Sequence, residues 1–159
     1  MSHFQFMEKS KVLLIDNSIN FRNLFRLFAI NAGFIPSTAS VGLEGIALLR
    51  KFTMDCIICE YALPDLTAIE LKHALRCAQV LSRNAKAPFV VVSDRKLSPR
   101  ELKNLHNCGV ADFRSKTEFL PELCSMVERL CPKPHELSQG YLDDKTPSLN
   151  INILNPALI

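Results

Sequence analysis

Short apolar runs, each closed by a polar group, alternate along residues 11–130 with segments of helical periodicity. Residues 11–16, Lys-Val-Leu-Leu-Ile-Asp, form the first such run, and a continuous apolar stretch bounded by turn residues predicts a buried strand. Ser18 or Asn17 can cap the helix that follows, where Phe21, Leu24, Phe25, Phe28 and Ala32 keep helical spacing until Gly33 stops it. Residues 34–38 predict a second strand, assigned to a sheet edge by Pro36. A helix over 41–52 turns Leu43, Ile46, Ala47 and Leu49 inward. A third strand, Cys56-Ile57-Ile58-Cys59, closes on Glu60, and a helix runs from about 67 to 81. After a polar, basic connection at 82–87 comes the clearest strand, 88–93. Ser98-Pro99 opens a helix that Cys108-Gly109 ends. A fifth strand at 110–113 and a fifth helix at 118–130 complete the pattern. Five strands alternating with helices predict an α/β fold, a doubly wound five-stranded parallel sheet covered on both faces.

At 159 residues, 48% hydrophobic and 22% charged, the chain has the composition of one ordinary globular domain. We place that domain at 11–131, with an N-terminal extension at 1–10 and a tail or linker at 132–159. The tail opens on Pro132-Lys133-Pro134 and carries an apolar tip, Ile151-Asn152-Ile153-Leu154. That tip suits strand addition to a sheet edge, the stub of an output domain, or a disordered end. The net charge of +3 is too small to argue for nucleic acid, and no signal peptide or membrane-length apolar run is visible. A cytoplasmic protein is expected. Of the six cysteines, Cys56 and Cys59 have C-x-x-C spacing, but side chains three apart on a strand point to opposite faces and cannot share a metal. Cys77, Cys108, Cys124 and Cys131 read as separate small hydrophobes.

Candidate chemistry gathers at the strand ends, where open parallel sheets bind their ligands. Asp16-Asn17, Glu60, Ser93 and Lys116 fall at or just beyond the carboxyl ends of strands one, three, four and five. Together with the segments Val-Leu-Leu-Ile-Asp-Asn-Ser, Glu60 through Leu71, Val-Val-Val-Ser and Gly109 through Lys116, this order resembles the receiver domain of two-component response regulators. The resemblance implies the flavodoxin-like (βα)5 receiver fold. It also implies roles by position. Asp16 and Asn17 stand at the metal-binding acidic pair, Glu60 at the phosphoacceptor, Ser93 and Lys116 at the phosphoryl contacts, and Phe113 at the switch aromatic. The carbonyl of Ala62 would be the remaining metal ligand.

The departures from that pattern lean one way. Glu60 replaces the acceptor aspartate and pushes the carboxylate out by about 1.5 Å, one C–C bond, where in-line transfer depends on positioning. Asn17 removes one charge from a site for a hard dication. Asp94 follows Ser93 where a small residue is usual, and would repel an incoming phosphate. Thr117 follows Lys116 in place of a proline, and Thr67-Ala68 replace an Asp-Gly. The expectation is a pseudo-receiver in which Glu60 reaches Lys116 without phosphate or metal. It would be a non-enzymatic signalling domain working by protein–protein contact, with no cofactor beyond weak Mg²⁺ binding.

Its expected partners are a histidine kinase, a phosphotransfer protein or an output protein. Leu27 and Ile30 on the first helix and a basic face around Arg95, Lys96, Arg100, Lys103 and Arg114 are the candidate surfaces, the latter also for a homodimer. Two alternatives stand beside this reading. One is a phosphorylatable receiver of a phosphorelay. The other is a small flavodoxin-like cofactor-binding enzyme, disfavoured because the five glycines form no phosphate loop.

Overall fold

The computed structural model describes residues 8–132; the apolar tip at 151–154 lies outside them. Five strands, β1 (Lys11–Ile15), β2 (Ile35–Ala39), β3 (Cys56–Glu60), β4 (Phe89–Ser93) and β5 (Asp112–Ser115), form one parallel sheet in the order β2-β1-β3-β4-β5. Pro36 lies on an edge strand, where its missing N–H breaks no inner ladder. The helices are α1 (Ile19–Asn31), α2 (Gly42–Leu49), α3 (Ala68–Cys77), α4 (Ser82–Lys86), α5 (Pro99–Asn107) and α6 (Lys116–Leu130). The strand order reverses between β1 and β3, so the crevice at their carboxyl ends is the natural place for a site.

Strand alternation divides the core into two clusters. Val12, Leu14, Cys56, Ile58, Val90 and Val92 face α1 and α6, meeting Phe21, Phe25, Ala29, Phe119 and Leu123. Leu13, Ile15, Ile57, Cys59 and Val91 face the other way, onto Ile46 and Leu49 of α2, Leu71 and Leu75 of α3, and Leu105 of α5. Each such fully buried Leu, Ile or Phe contributes about 2 kcal/mol. Ser18 caps α1 through its hydroxyl, and Ser98 and Thr67 form capping boxes with Glu101 and Glu70. Gly33 and Gly109 end α1 and α5 with φ of +82° and +84°, a left-handed turn open to glycine.

Several expectations need correction. The 67–81 helix stops at Cys77, where Ala78 turns extended, and the supposed basic connection contains α4 with the buried Asn84. The last strand is Asp112–Ser115 and the last helix begins at Lys116, each displaced by two residues from the expected positions. No described peptide bond is cis, and Thr117 simply continues the first turn of α6. Leu24 and Phe28 are exposed instead of facing the sheet. On α2, Leu43 and Ala47 are exposed and the inward face is Gly42, Gly45, Ile46 and Leu49.

That helix phase follows from a close approach: a Cβ on Gly45 would lie 2.4 Å from Ile15 Cδ1 and 3.0 Å from its Cγ1. Ile15 is fully buried and has nowhere to go. Gly45→Val is therefore expected to destabilise the domain by about 1–3 kcal/mol, read from urea denaturation midpoints.

Candidate functional site

Asp16 is the first residue beyond β1 and is fully buried, although it is ionisable. Its Oδ1 accepts the Ser18 amide at 2.8 Å. Its Oδ2 forms an ion pair with Lys116 Nζ at 2.7 Å, with a geometry that leaves this oxygen without a conventional hydrogen bond. Glu60 ends β3 beside it. Lys116 Nζ donates to Glu60 Oε1 at 2.9 Å, and the Asn17 amide reaches Oε2 at 3.3 Å. Lys116 is the first residue of α6, which aims its side chain back across the ends of β1 and β3. The ammonium also lies 4.9 Å from the Phe21 ring centroid and 3.7 Å from the exposed carboxylate of Asp94. One cation thus holds two strand ends together.

Burial sets the electrostatics of this cluster. It lifts the Asp16 carboxyl above its ordinary range, against the lowering by Lys116 and by the Ser18 amide. Burial also pulls Lys116 down, but its bonds to Asp16 and Glu60, with their charges, together hold the ammonium above the ordinary lysine value.

The other positions singled out in the sequence are distributed around this pair. Ser93 ends β4, is buried, and accepts the Arg95 amide at 3.2 Å; it is in register with Ser115, the neighbour of Lys116. Asn17 is exposed, and its amide nitrogen donates to the Ser40 carbonyl at 3.3 Å. Ala62 bridges Thr67 within the loop after β3. Phe113 is half-buried on β5, packed against the cluster that α2, α3 and α5 share. A hollow of about 330 Å³ opens beside Lys116, between Leu24 of α1 and Leu120 of α6. The larger hollow, about 420 Å³, lies at the opposite, amino-terminal end of the sheet and contains none of these residues.

A magnesium ion does not fit this donor set as arranged. It demands near-octahedral oxygen ligation at about 2.1 Å, yet both oxygens of Asp16 and both of Glu60 already face internal N–H groups. No group of three or more His, Cys, Asp or Glu among the described residues is arranged to hold a metal.

Sequence reasoning missed Asp65. Val41, at the N-cap of α2, offers no side-chain hydrogen bond. The carboxylate of Asp65 supplies it instead, accepting the amides of Gly42 at 2.8 Å and Leu43 at 2.9 Å. The only signal was an acid following Pro64 in the turn after Glu60; its target helix lies far away in sequence. On the other side, Arg95 pairs with Glu101, and Arg114 with Asp112 and Glu122, so the face that looked basic is partly neutralised.

No family model matches the chain. It is 22% identical over 143 residues to the cell cycle transcriptional regulator CtrA of Caulobacter vibrioides, and 24% identical over 143 residues to the cell cycle response regulator CtrA of Brucella ovis. In both cases the match covers 90% of this chain and 58% of the relative, so the chain spans little more than half the length of these relatives. Among solved structures it is similar to the chemotaxis protein CheY4 of Vibrio cholerae, at 25% identity and a TM-score of 0.70, over 77% of this chain and 99% of that one. It also shares its fold with the receiver domain of the sensor histidine kinase PA1611 of Pseudomonas aeruginosa, whose active-site cleft coordinates magnesium. That likeness has a TM-score of 0.68 at 15% identity, over 79% and 100% of the two chains. No helix among the described residues is long and apolar enough to cross a membrane.

Proposed function

This chain carries a response-regulator receiver domain, and from that premise we propose that it serves two-component signalling as a pseudo-receiver, held in one state by its own lysine and read out through protein contact. The observation that carries this reading is the Lys116 ammonium, 2.7 Å from Asp16 and 2.9 Å from Glu60. In a phosphorylatable site those carboxylates would hold the metal and receive the phosphoryl group; here both already share one internal ammonium. Asp94, 3.7 Å from the ammonium, adds a negative charge where an anionic donor would approach.

The contact surface best supported is α1. Ile19, Leu27 and Ile30 are each about 60% exposed, and Leu24 and Phe28 more than 40%, which puts five large apolar side chains on one helix. A kinase, phosphotransfer or output protein of the same signalling class suits that face.

The test is direct. The purified chain is incubated with acetyl phosphate and Mg²⁺ and weighed intact. No phosphoryl adduct is expected. A stoichiometric adduct on Glu60 or Asp16 would make the chain a working phosphorelay receiver and end the pseudo-receiver reading.

A further inference from the structure

Two thiols far apart in sequence meet at the amino-terminal end of the sheet. Cys56 opens β3 and Cys131 follows the last turn of α6. Both pack in the cluster under α1 and α6. Cys131 Sγ lies 3.0 Å from the carbonyl oxygen of Asp55, the residue joined to Cys56, and Cys56 faces the same cluster against which Cys131 packs. Read separately in the sequence, they are neighbours in space.

Their surroundings give them different roles. Cys56 is completely buried. Cys131 is half-buried and lines two hollows, the 420 Å³ one and a smaller one of about 50 Å³ beside Gly33 and Phe34, so a small oxidant has a path to it. The neighbouring Cys131 thiol, then burial, pushes the Cys56 thiol well above the ordinary range. The Cys56 thiol in turn lowers Cys131, outweighing burial and the nearby Asp55 charge. An accessible thiol with enhanced thiolate character beside a shielded one is the arrangement of an attacking and a resolving cysteine.

We propose that Cys131 and Cys56 form a reversible dithiol–disulfide pair that responds to peroxides, with Cys131 oxidised first and Cys56 resolving it. The Cys131 thiolate attacks the peroxide; an S–O bond forms, the O–O bond breaks, and the departing oxygen takes the proton that left the thiol. The Cys56 sulfur then displaces hydroxide from the resulting sulfenic acid, forming the S–S bond and breaking S–O. Its proton leaves with the hydroxide as water. The two sulfurs supply the two electrons that reduce the peroxide, and an exogenous dithiol reverses the change by exchange. The bond staples the foot of α6 to the first residue of the central strand.

The full chain is treated with hydrogen peroxide, then unfolded, alkylated and mapped without reductant. The expected result is loss of the mass of two hydrogen atoms, a Cys56–Cys131 linked peptide, and reversal by dithiothreitol. Cys131→Ser abolishes the link, and Cys56→Ala leaves Cys131 as a sulfenic acid that dimedone traps. If the core substitution prevents folding, the wild-type map and the Cys131→Ser variant decide alone. Wild-type protein in which both thiols still take alkylating agent after peroxide, or in which the link runs through the exposed Cys77, overturns the proposal.

Discussion

Lys116→Met is expected to lower the stability of the domain by about 3–5 kcal/mol, the cost of leaving a buried charge without its partner. Asp16 is fully buried and Lys116 is only 8% exposed, so neither can turn to water for compensation. Pairing the change with Asp16→Asn removes the stranded carboxylate, and the double variant is expected to recover a large part of the loss. Urea denaturation of the three proteins at neutral pH measures both effects. The alkaline side offers a second check. The folded pKa of Lys116 lies above its ordinary 10.5, so the stabilisation it brings is complete below that pH and fades as pH rises through the folded value. Wild type should lose this component at alkaline pH and Lys116→Met should have none to lose. Asp16 runs in the opposite sense to a typical paired carboxylate. Its folded pKa is raised above 3.8, so the folded state binds the proton more tightly and this residue's contribution declines as pH climbs from below 3.8 through the folded value. A variant as stable as wild type would mean that the ammonium does not hold the strand ends together.

Asn84→Ala should cost about 3 kcal/mol, because one buried amide serves three backbone groups. Its Oδ1 accepts the Met54 N–H at 2.8 Å, and its Nδ2 donates to the carbonyls of Leu49 at 2.8 Å and Phe52 at 2.7 Å. The bonds tie α4 to the turn that leads from α2 into β3. Truncation strips the Met54 N–H and the Phe52 carbonyl of these partners at a residue that is 1% exposed, while the Leu49 carbonyl keeps the Leu81 N–H at 3.1 Å. Asn84→Asp should fare worse still, since an oxygen would then face two carbonyl oxygens and a charge would be buried. Denaturant midpoints with unchanged slopes would establish the loss; a variant within about 0.5 kcal/mol of wild type, the range of an ordinary surface change, would show that the three bonds are not needed.

Asn84 also marks where sequence reading ran out. Set among Ser82, Arg83 and Lys86, it looked like part of a solvated connection, and no local pattern separates a polar residue in water from one satisfied by distant backbone. The three inner strands, β1, β3 and β4, were legible because each is a nearly continuous apolar run between turn residues. The strand-end set came from the resemblance to receiver domains, and Lys116 is in contact with both Asp16 and Glu60. On α2, Ile46 and Leu49 do face inward as expected but Leu43 and Ala47 do not, because apolar side chains were taken to mark the whole buried side, which also contains two glycines. Each glycine costs such a helix about 1 kcal/mol relative to alanine, and that penalty was itself the available clue to a tight approach. The two-residue displacement of β5 and α6 had no comparable clue. Ser115 and Lys116 suit a loop, a strand end or a first helical turn equally well, and only the pull of the buried carboxylates selects among them.

The grip of Asp65 on the first amides of α2 has a mechanical meaning. The loop after Glu60 is moored to a helix that leads away from the edge strand, so it cannot slide alone. A load applied to the outer side of that helix would be transmitted, through one carboxylate, to the neighbourhood of the lysine-bound acids.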